Sequence, residues 1–272
     1  MRKTRILIIG ISLVAIALIY MLPKVVVVDE SQLGTGAVAP SQDSNASVTG
    51  HRATSKEKAK AINELRVRYL SSSSKEKSAI FADSLATLYK EAGKFDSAAW
   101  FAGEAATFFA TPASFQEAGD NYYEAYLFAI APAKQKDMAG KAQAFYNKVL
   151  EGDPKNLDVK TKLAMTMLAT SPPMQAIGQL KEILIENPNH ELALYNLGML
   201  SIQSGQYELA IERLEKLAAV NPDHIQGQLL LGVAYANAEQ KEKARQQFEK
   251  VKKLDKDPSV QATADSYLKD LK

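Results

Sequence analysis

The stretch NPNHELALYNLG, starting at Asn187, returns as NPDHIQGQLLLG, starting at Asn221, an interval of 34 residues that carries Pro188 onto Pro222. A fixed period of this length marks a chain built from stacked supersecondary units, each able to bury its apolar side only against a neighbour. The expectation is an array of helical hairpins rather than a body folded around one enclosed active site.

The period extends through the second half of the chain. Ala164, Gly198 and Gly232 occupy one small-residue position, and Ala176, Ala210 and Ala244 another, both in steps of 34. Two helices cross closely only where neither carries bulk, so these are expected to be the crossing points of successive hairpins. Leu163, Leu197 and Leu231 precede the first small position, while Leu180, Leu214 and Phe248 follow the second by four residues, one helical turn. Pro188 and Pro222 would stop the second helix of a hairpin and set the turn into the next.

The residues Leu197-Gly198, Gly205-Gln206-Tyr207, Ala210, Leu214, Leu217 and Pro222 together resemble the tetratricopeptide repeat. Repeats 157–190, 191–224 and 225–258 fit the pattern, although the first lacks the glycine between its helices and the last has Lys256 in place of proline. Residues 79–112 keep Leu85-Ala86, Tyr89, Gly93, Phe95, Ala98 and Ala105 in phase, and 113–156 form an irregular unit with Ala142 and Pro154 in phase. Added length near Pro132 to Met138 suggests a lengthened first helix or loop there. About five repeats over 79–258 are expected, opened by a helix within 54–78 and closed by a capping helix over 259–272. Capping boxes at Thr54 with Glu57 and Ser73 with Glu76 mark the first helix starts. The resemblance thus implies an all-α tetratricopeptide helical-hairpin solenoid.

A different element precedes it. Arg2, Lys3 and Arg5 are followed by an uncharged run from Ile6 to Leu22, about 25 Å if helical, which Arg5 and Lys24 can extend by snorkelling. Tyr20, Met21, Leu22, Pro23 and Lys24 replace the small residues a signal peptidase needs, so an uncleaved anchor is expected rather than a cleaved leader. The excess of positive charge before the span places residues 1–24, tip and transmembrane helix, with the N-terminus in the cytoplasm. In a bacterium the repeat body is then periplasmic and attached to the inner membrane. Residues 25–53, rich in Ser, Gly and Ala after VVVVDE, read as a flexible tether.

Composition narrows the chemistry. The chain has no cysteine and three histidines, which excludes disulfides, thiolate metal sites and cysteine nucleophiles. Residues 52–77 carry eight Lys or Arg against three acids, and residues 1–51 add about +1, so the net +2 leaves about −4 on residues 78–272. A mildly acidic repeat body does not suit nucleic acid. No P-loop, GxGxxG, HExxH, GxSxG or EF-hand pattern occurs, and SKEK at Ser55 and DKDP at Asp255 are better read as a helix start and an acidic turn. No enzyme, cofactor, metal or small-molecule substrate is expected. His190 and His224, one repeat apart, read as polar turn residues, and the aromatics Trp100, Phe108, Phe109, Phe115, Tyr122, Tyr123 and Tyr126 as core between repeats rather than a stacking platform.

The resemblance also implies a binding face, because first helices of successive repeats line a concave surface in this family. The corresponding positions are Asp158, Thr161, Met165 and Leu168; Leu192, Tyr195, Asn196, Met199 and Ile202; and Gln226, Leu229, Leu230 and Val233. Family members that clamp a C-terminal carboxylate use Lys, Arg and Asn at phases where this chain has Thr161, Met165, Asn196, Gln226 and Leu230. Only the asparagine remains, and a clamp without cations is electrostatically poor. Met165, Leu192, Tyr195, Asn196, Met199, Ile202, Leu229 and Val233 suit a hydrophobic or amphipathic protein segment instead. Two alternatives stand beside this scaffold or adaptor role. One is an organiser of a membrane complex acting through its outer face and basic segment 52–77; the other is a chaperone-like binder of exported chains. A homo-oligomer covering the same face is also left open.

Overall fold

The structure, a computed structural model, describes residues 56–271. The apolar segment 6–22, the tether 25–53 and the Thr54 cap lie outside the described residues. Among the described residues no helix is long and apolar enough to cross a membrane.

Every regular element described is an α-helix: α1 (Lys56–Ser71), α2 (Lys75–Glu91), α3 (Phe95–Phe109), α4 (Pro112–Phe128), α5 (Pro132–Gly152), α6 (Leu157–Thr170), α7 (Pro173–Glu186), α8 (Glu191–Gln203), α9 (Tyr207–Val220), α10 (Ile225–Asn237), α11 (Lys241–Leu254) and α12 (Pro258–Asp270). Each helix packs on its neighbours in the chain. The first helices of successive hairpins also meet, α4 with α6, α6 with α8 and α8 with α10, so they form one continuous row. Such an array is a one-dimensional solenoid stabilised by nearest-neighbour interfaces.

The small residues are where the helices cross. A β-carbon on Gly198 would stand 2.7 Å from Leu214, and one on Gly232 2.6 Å from Phe248. Ala164, Ala176, Ala210 and Ala244 are fully buried. Gly119 repeats the arrangement in α4, where a β-carbon would stand 2.6 Å from Tyr146 of α5. This aligns α4 with α8 despite the irregular spacing between them.

The turns between hairpins are written as consistently as the crossings. Asp153, Asn187, Asn221 and Asp255 cap the ends of α5, α7, α9 and α11, and each accepts a bond on its side-chain oxygen from the backbone N–H two residues on. These are Asx turns, in which the side chain replaces the next peptide unit. Three residues later, Asn156, His190 and His224 cap α6, α8 and α10 by accepting from Val159, Ala193 and Gly227 N–H groups. The recurring NP-NH and NP-DH strings are therefore one capped turn used repeatedly, with the proline excluded from both helices. The histidines do more than fill a polar turn, since Nδ1 satisfies a donor that the helix start leaves free.

Within the hairpins, Gly93 and Gly205 turn the chain with φ of 70° and 73°, and Glu239 holds the equivalent place with φ 59°. The glycine-free turn of α6 to α7 relies on Ser171 and Pro172, with Pro173 opening α7.

Three expectations need correction. The cap of α2 is Ser74, accepting from Lys77 N–H, rather than Ser73, and no glutamate returns the bond. The reciprocal capping box is instead Thr111 with Ser114 at the start of α4. The Pro132–Met138 stretch is not added to a first helix or loop but forms the opening turns of α5, a second helix of 21 residues against 14 for α7 and α9. Proline is tolerated at that first position because no helical partner awaits its missing N–H. The aromatic cluster also divides. Tyr122 is buried, Phe115, Tyr123 and Tyr126 are half-buried, and Trp100, Phe108 and Phe109 are exposed. Phe115, Tyr123 and Tyr126 still pack against the core beside Phe145, and Phe101 and Tyr146 are buried in it.

The array ends differ. At the C-terminal end, α12 lays Tyr267 flat on Phe248 at 4.9 Å between ring centres and buries Ala264 against it. At the other end, α1 buries only Ile62 and leaves Arg66, Val67, Arg68 and Leu70 exposed.

Candidate functional site

The glycine and alanine crossings fix the phase of each first helix, and so define which side chains share a face. One residue past the crossing, the row reads Asp120, Met165, Met199 and Val233 along α4, α6, α8 and α10. Three residues before it, the row reads Gln116, Thr161, Tyr195 and Leu229; two before, Glu117, Lys162, Asn196 and Leu230. Residues three and four apart lie on one side of a helix, so these rows form a single strip across the stack.

Its C-terminal part is apolar. Leu192, Tyr195, Met199, Ile202, Leu229, Leu230 and Val233 are all half-buried. Tyr195 stacks on the His224 ring at 5.3 Å, and partial burial raises its phenol pKa. The two remaining positions named from the sequence are differently placed. Met165 is buried in the core between α6 and α8, where Tyr126 of α4 donates to its carbonyl at 3.4 Å. Asn196 is buried too, and its amide donates to the Leu192 carbonyl of its own helix at 2.8 Å. That bond ties the Asn196 amide nitrogen to its own helix.

The N-terminal part has the opposite character. A cleft of about 430 Å³ opens between α2 and α4, lined by Thr87, Lys90, Ala113, Gln116, Glu117, Asp120 and Asn121. Asp120 accepts from the Tyr146 hydroxyl at 2.8 Å and from Lys162 at 2.7 Å, and Lys90 pairs with Glu124 at 2.6 Å. Burial raises the Glu117 pKa, reinforced by Asp83 and Asp120 and opposed by Lys90. Burial, with the adjoining Asp120 charge and hydrogen bond, pushes the Tyr146 phenol far above its ordinary value. These cleft residues escape a reading from the 34-residue period, because Gly119 precedes Ala164 by 45 residues. The signal available was the small residue itself.

Among the described residues, no group of three or more His, Asp or Glu side chains is placed to hold a metal ion. His190 meets Asp158 at 3.2 Å, a pair at the start of α8 with no further ligand beside it among them.

A row of first helices crossing second helices at small residues, with capped turns one repeat apart, defines a helical-hairpin repeat array. Residues 173–231 and 201–264 match the tetratricopeptide repeat family. The matched family is one of repeat scaffolds rather than of enzymes. No curated protein matches the sequence. Among solved structures, the chain is similar to YrrB, described as a TPR protein with an unusual peptide-binding site, at 21% identity and TM-score 0.42, covering 78% of this chain and 98% of that one. It is also similar to MamA 41-end from Desulfovibrio magneticus RS-1, at 20% identity and TM-score 0.45, covering 66% and 96%. A third similar structure is the C-terminal part of a TPR repeat-containing protein from Cytophaga hutchinsonii, at 18% identity and TM-score 0.46, covering 73% and 74%.

Proposed function

We propose that the chain is a membrane-anchored scaffold whose repeat body binds a protein or peptide partner along the first-helix strip. The supporting observation is the half-buried apolar set Leu192, Tyr195, Met199, Ile202, Leu229, Leu230 and Val233, contributed by two first helices in contact, α8 and α10. Side chains of this kind, rigid at Tyr195 and adaptable at Met199, suit an amphipathic segment of a partner laid across the helices. Residues 6–22 supply the anchor, and the basic N-terminus assigns the repeat body to the periplasmic side of a bacterial inner membrane.

The test is a photoactivatable residue at Met199 in cells, combined with Ile202→Glu on the strip and Glu212→Ala on the exposed side of α9. A discrete envelope protein captured at Met199, lost with Ile202→Glu and kept with Glu212→Ala, supports the adaptor. Capture of many exported chains points to chaperone-like holding, and capture of the chain by itself to a homo-oligomer. No capture that responds to Ile202→Glu removes the strip as the binding face.

A second reading is favoured by α1. Its Arg66 and Arg68 are exposed beside Val67, 65% exposed, and Leu70, 71% exposed. Basic and apolar side chains together suit an anionic lipid surface, which would make the array an organiser held close to the membrane. Flotation of the chain with anionic vesicles, lost on Arg66→Glu and Arg68→Glu, distinguishes this role from the strip's.

A further inference from the structure

An unsatisfied acceptor lies buried in the wall of the α2–α4 cleft. Asn121 lines it and is 5% exposed; its amide nitrogen donates to the Glu117 carbonyl at 2.9 Å, while its Oδ1 has no hydrogen-bond partner among the described residues. A buried carbonyl oxygen left bare costs free energy that native structures seldom spend without a use. The neighbouring Glu124 Oε2 is likewise buried and unpartnered, although Oε1 holds Lys90.

The charges around this acceptor are unbalanced. Asp120 is matched by Lys162 and Glu124 by Lys90, whereas the solvent-exposed Glu117 carboxylate makes no ion pair or hydrogen bond among the described residues and is reached only by the charge of Lys90, which Glu124 already holds. Glu117 and Asn121 are four apart on α4 and share its face. The cleft wall adds the Thr87 hydroxyl and the Gln116 amide, which can also accept.

Resting on the reading that the first-helix strip binds a partner segment, we propose that the α2–α4 cleft receives the guanidinium of an arginine in that segment. Five N–H donors fixed in a plane can meet the Glu117 carboxylate and the Asn121 Oδ1 together, which a point-like ammonium does less well. The strip thereby gains a direction, with the charged end of the partner on α2 and α4 and its apolar end on α8 and α10. Packed helices lie roughly 8–10 Å apart, so α4 to α8 is about 20 Å, or about six residues of extended peptide.

The experiment titrates the full-length chain with an acetylated peptide amide containing one arginine, five alternating glycine and serine residues, and two leucines. The same peptide with citrulline, neutral but of equal shape, is the comparison. The expected result is about tenfold tighter binding of the arginine peptide, abolished by Glu117→Gln and by Asn121→Leu without change in the citrulline peptide's affinity. Asn121→Leu also removes an unsatisfied buried group, so its unfolding temperature should not fall, which separates lost binding from lost folding. Equal affinity of the two peptides, or arginine binding unaffected by either variant, overturns the cleft assignment while Met199→Glu still weakens both peptides through the apolar end. If a lysine peptide binds as tightly as the arginine one, the guanidinium assignment is overturned. If neither peptide binds, the cleft assignment and the strip reading fail together.

Discussion

Leu214 of α9 lies so close over Gly198 of α8 that a β-carbon on the glycine would stand 2.7 Å from both its Cγ and one Cδ. Leu214 is fully buried. Two effects oppose each other when Gly198 becomes alanine: helix propensity favours the change by about 1 kcal/mol, and overpacking costs about 1–3 kcal/mol. Gly198→Ala should therefore be net destabilising in urea unfolding. Gly178 of α7 provides the control, since its β-carbon would meet nothing within 4 Å. Gly178→Ala should stabilise by about 0.5–1 kcal/mol.

Glu239 turns the α10–α11 hairpin in the left-handed region that glycine occupies at Gly93 and Gly205. A side chain there costs about 1 kcal/mol from contact of its β-carbon with the following carbonyl. Glu239→Gly should raise the unfolding free energy by about that amount, and Gly205→Val should lower it by at least as much. Urea midpoints of the two variants would reject this account of the turn if they moved in the same direction.

His224 caps α10 through Nδ1 and supports the Tyr195 ring. Replacement by alanine should cost about 0.5–2 kcal/mol, whereas asparagine, another capping acceptor, should recover most of it. Because asparagine cannot stack as imidazole does, His224→Asn should still alter the near-ultraviolet signal of Tyr195. Recovery of stability without that spectral change would show the ring contact to be incidental.

Burial first, then the charges of Asp137 and Glu104, push the Tyr122 phenol up to about 12 from 10.0. The folded chain thus keeps this proton to higher pH than the unfolded chain does. The contribution to stability is complete below pH 10 and is lost as pH rises from 10 towards 12. Unfolding free energy should decline over that window, less steeply in Tyr122→Phe, with no difference in slope between the two below pH 9. Parallel slopes throughout would mean that Tyr122 titrates as it does in the unfolded chain.

The architecture could be read from residues because its rules are local. Gly198 and Gly232, Ala210 and Ala244 and the asparagine-proline turns each recur at 34, and a recurring residue with a steric reason identifies a unit. The capping histidines were harder to recognise, as histidine is not among the residues that usually start helices. Phase placed Met165 and Asn196 on the strip but said nothing about depth. Met165 is covered from α4, an element outside the regular repeats, and Asn196 is tied to its own helix. The acidic cleft was concealed by the long α5, which moves α4 out of the 34-residue register while leaving its crossing at Gly119 intact.

Each first helix in the row from α4 to α10 touches the next, and the turns joining the hairpins are capped by the same side-chain device. A chain organised in this way can be lengthened or shortened by whole hairpins without redesigning any remaining contact. The separation between its acidic and apolar ends is then set by a count of repeats, so the molecule is a ruler graduated in helices, and changing what it measures requires duplication rather than mutation.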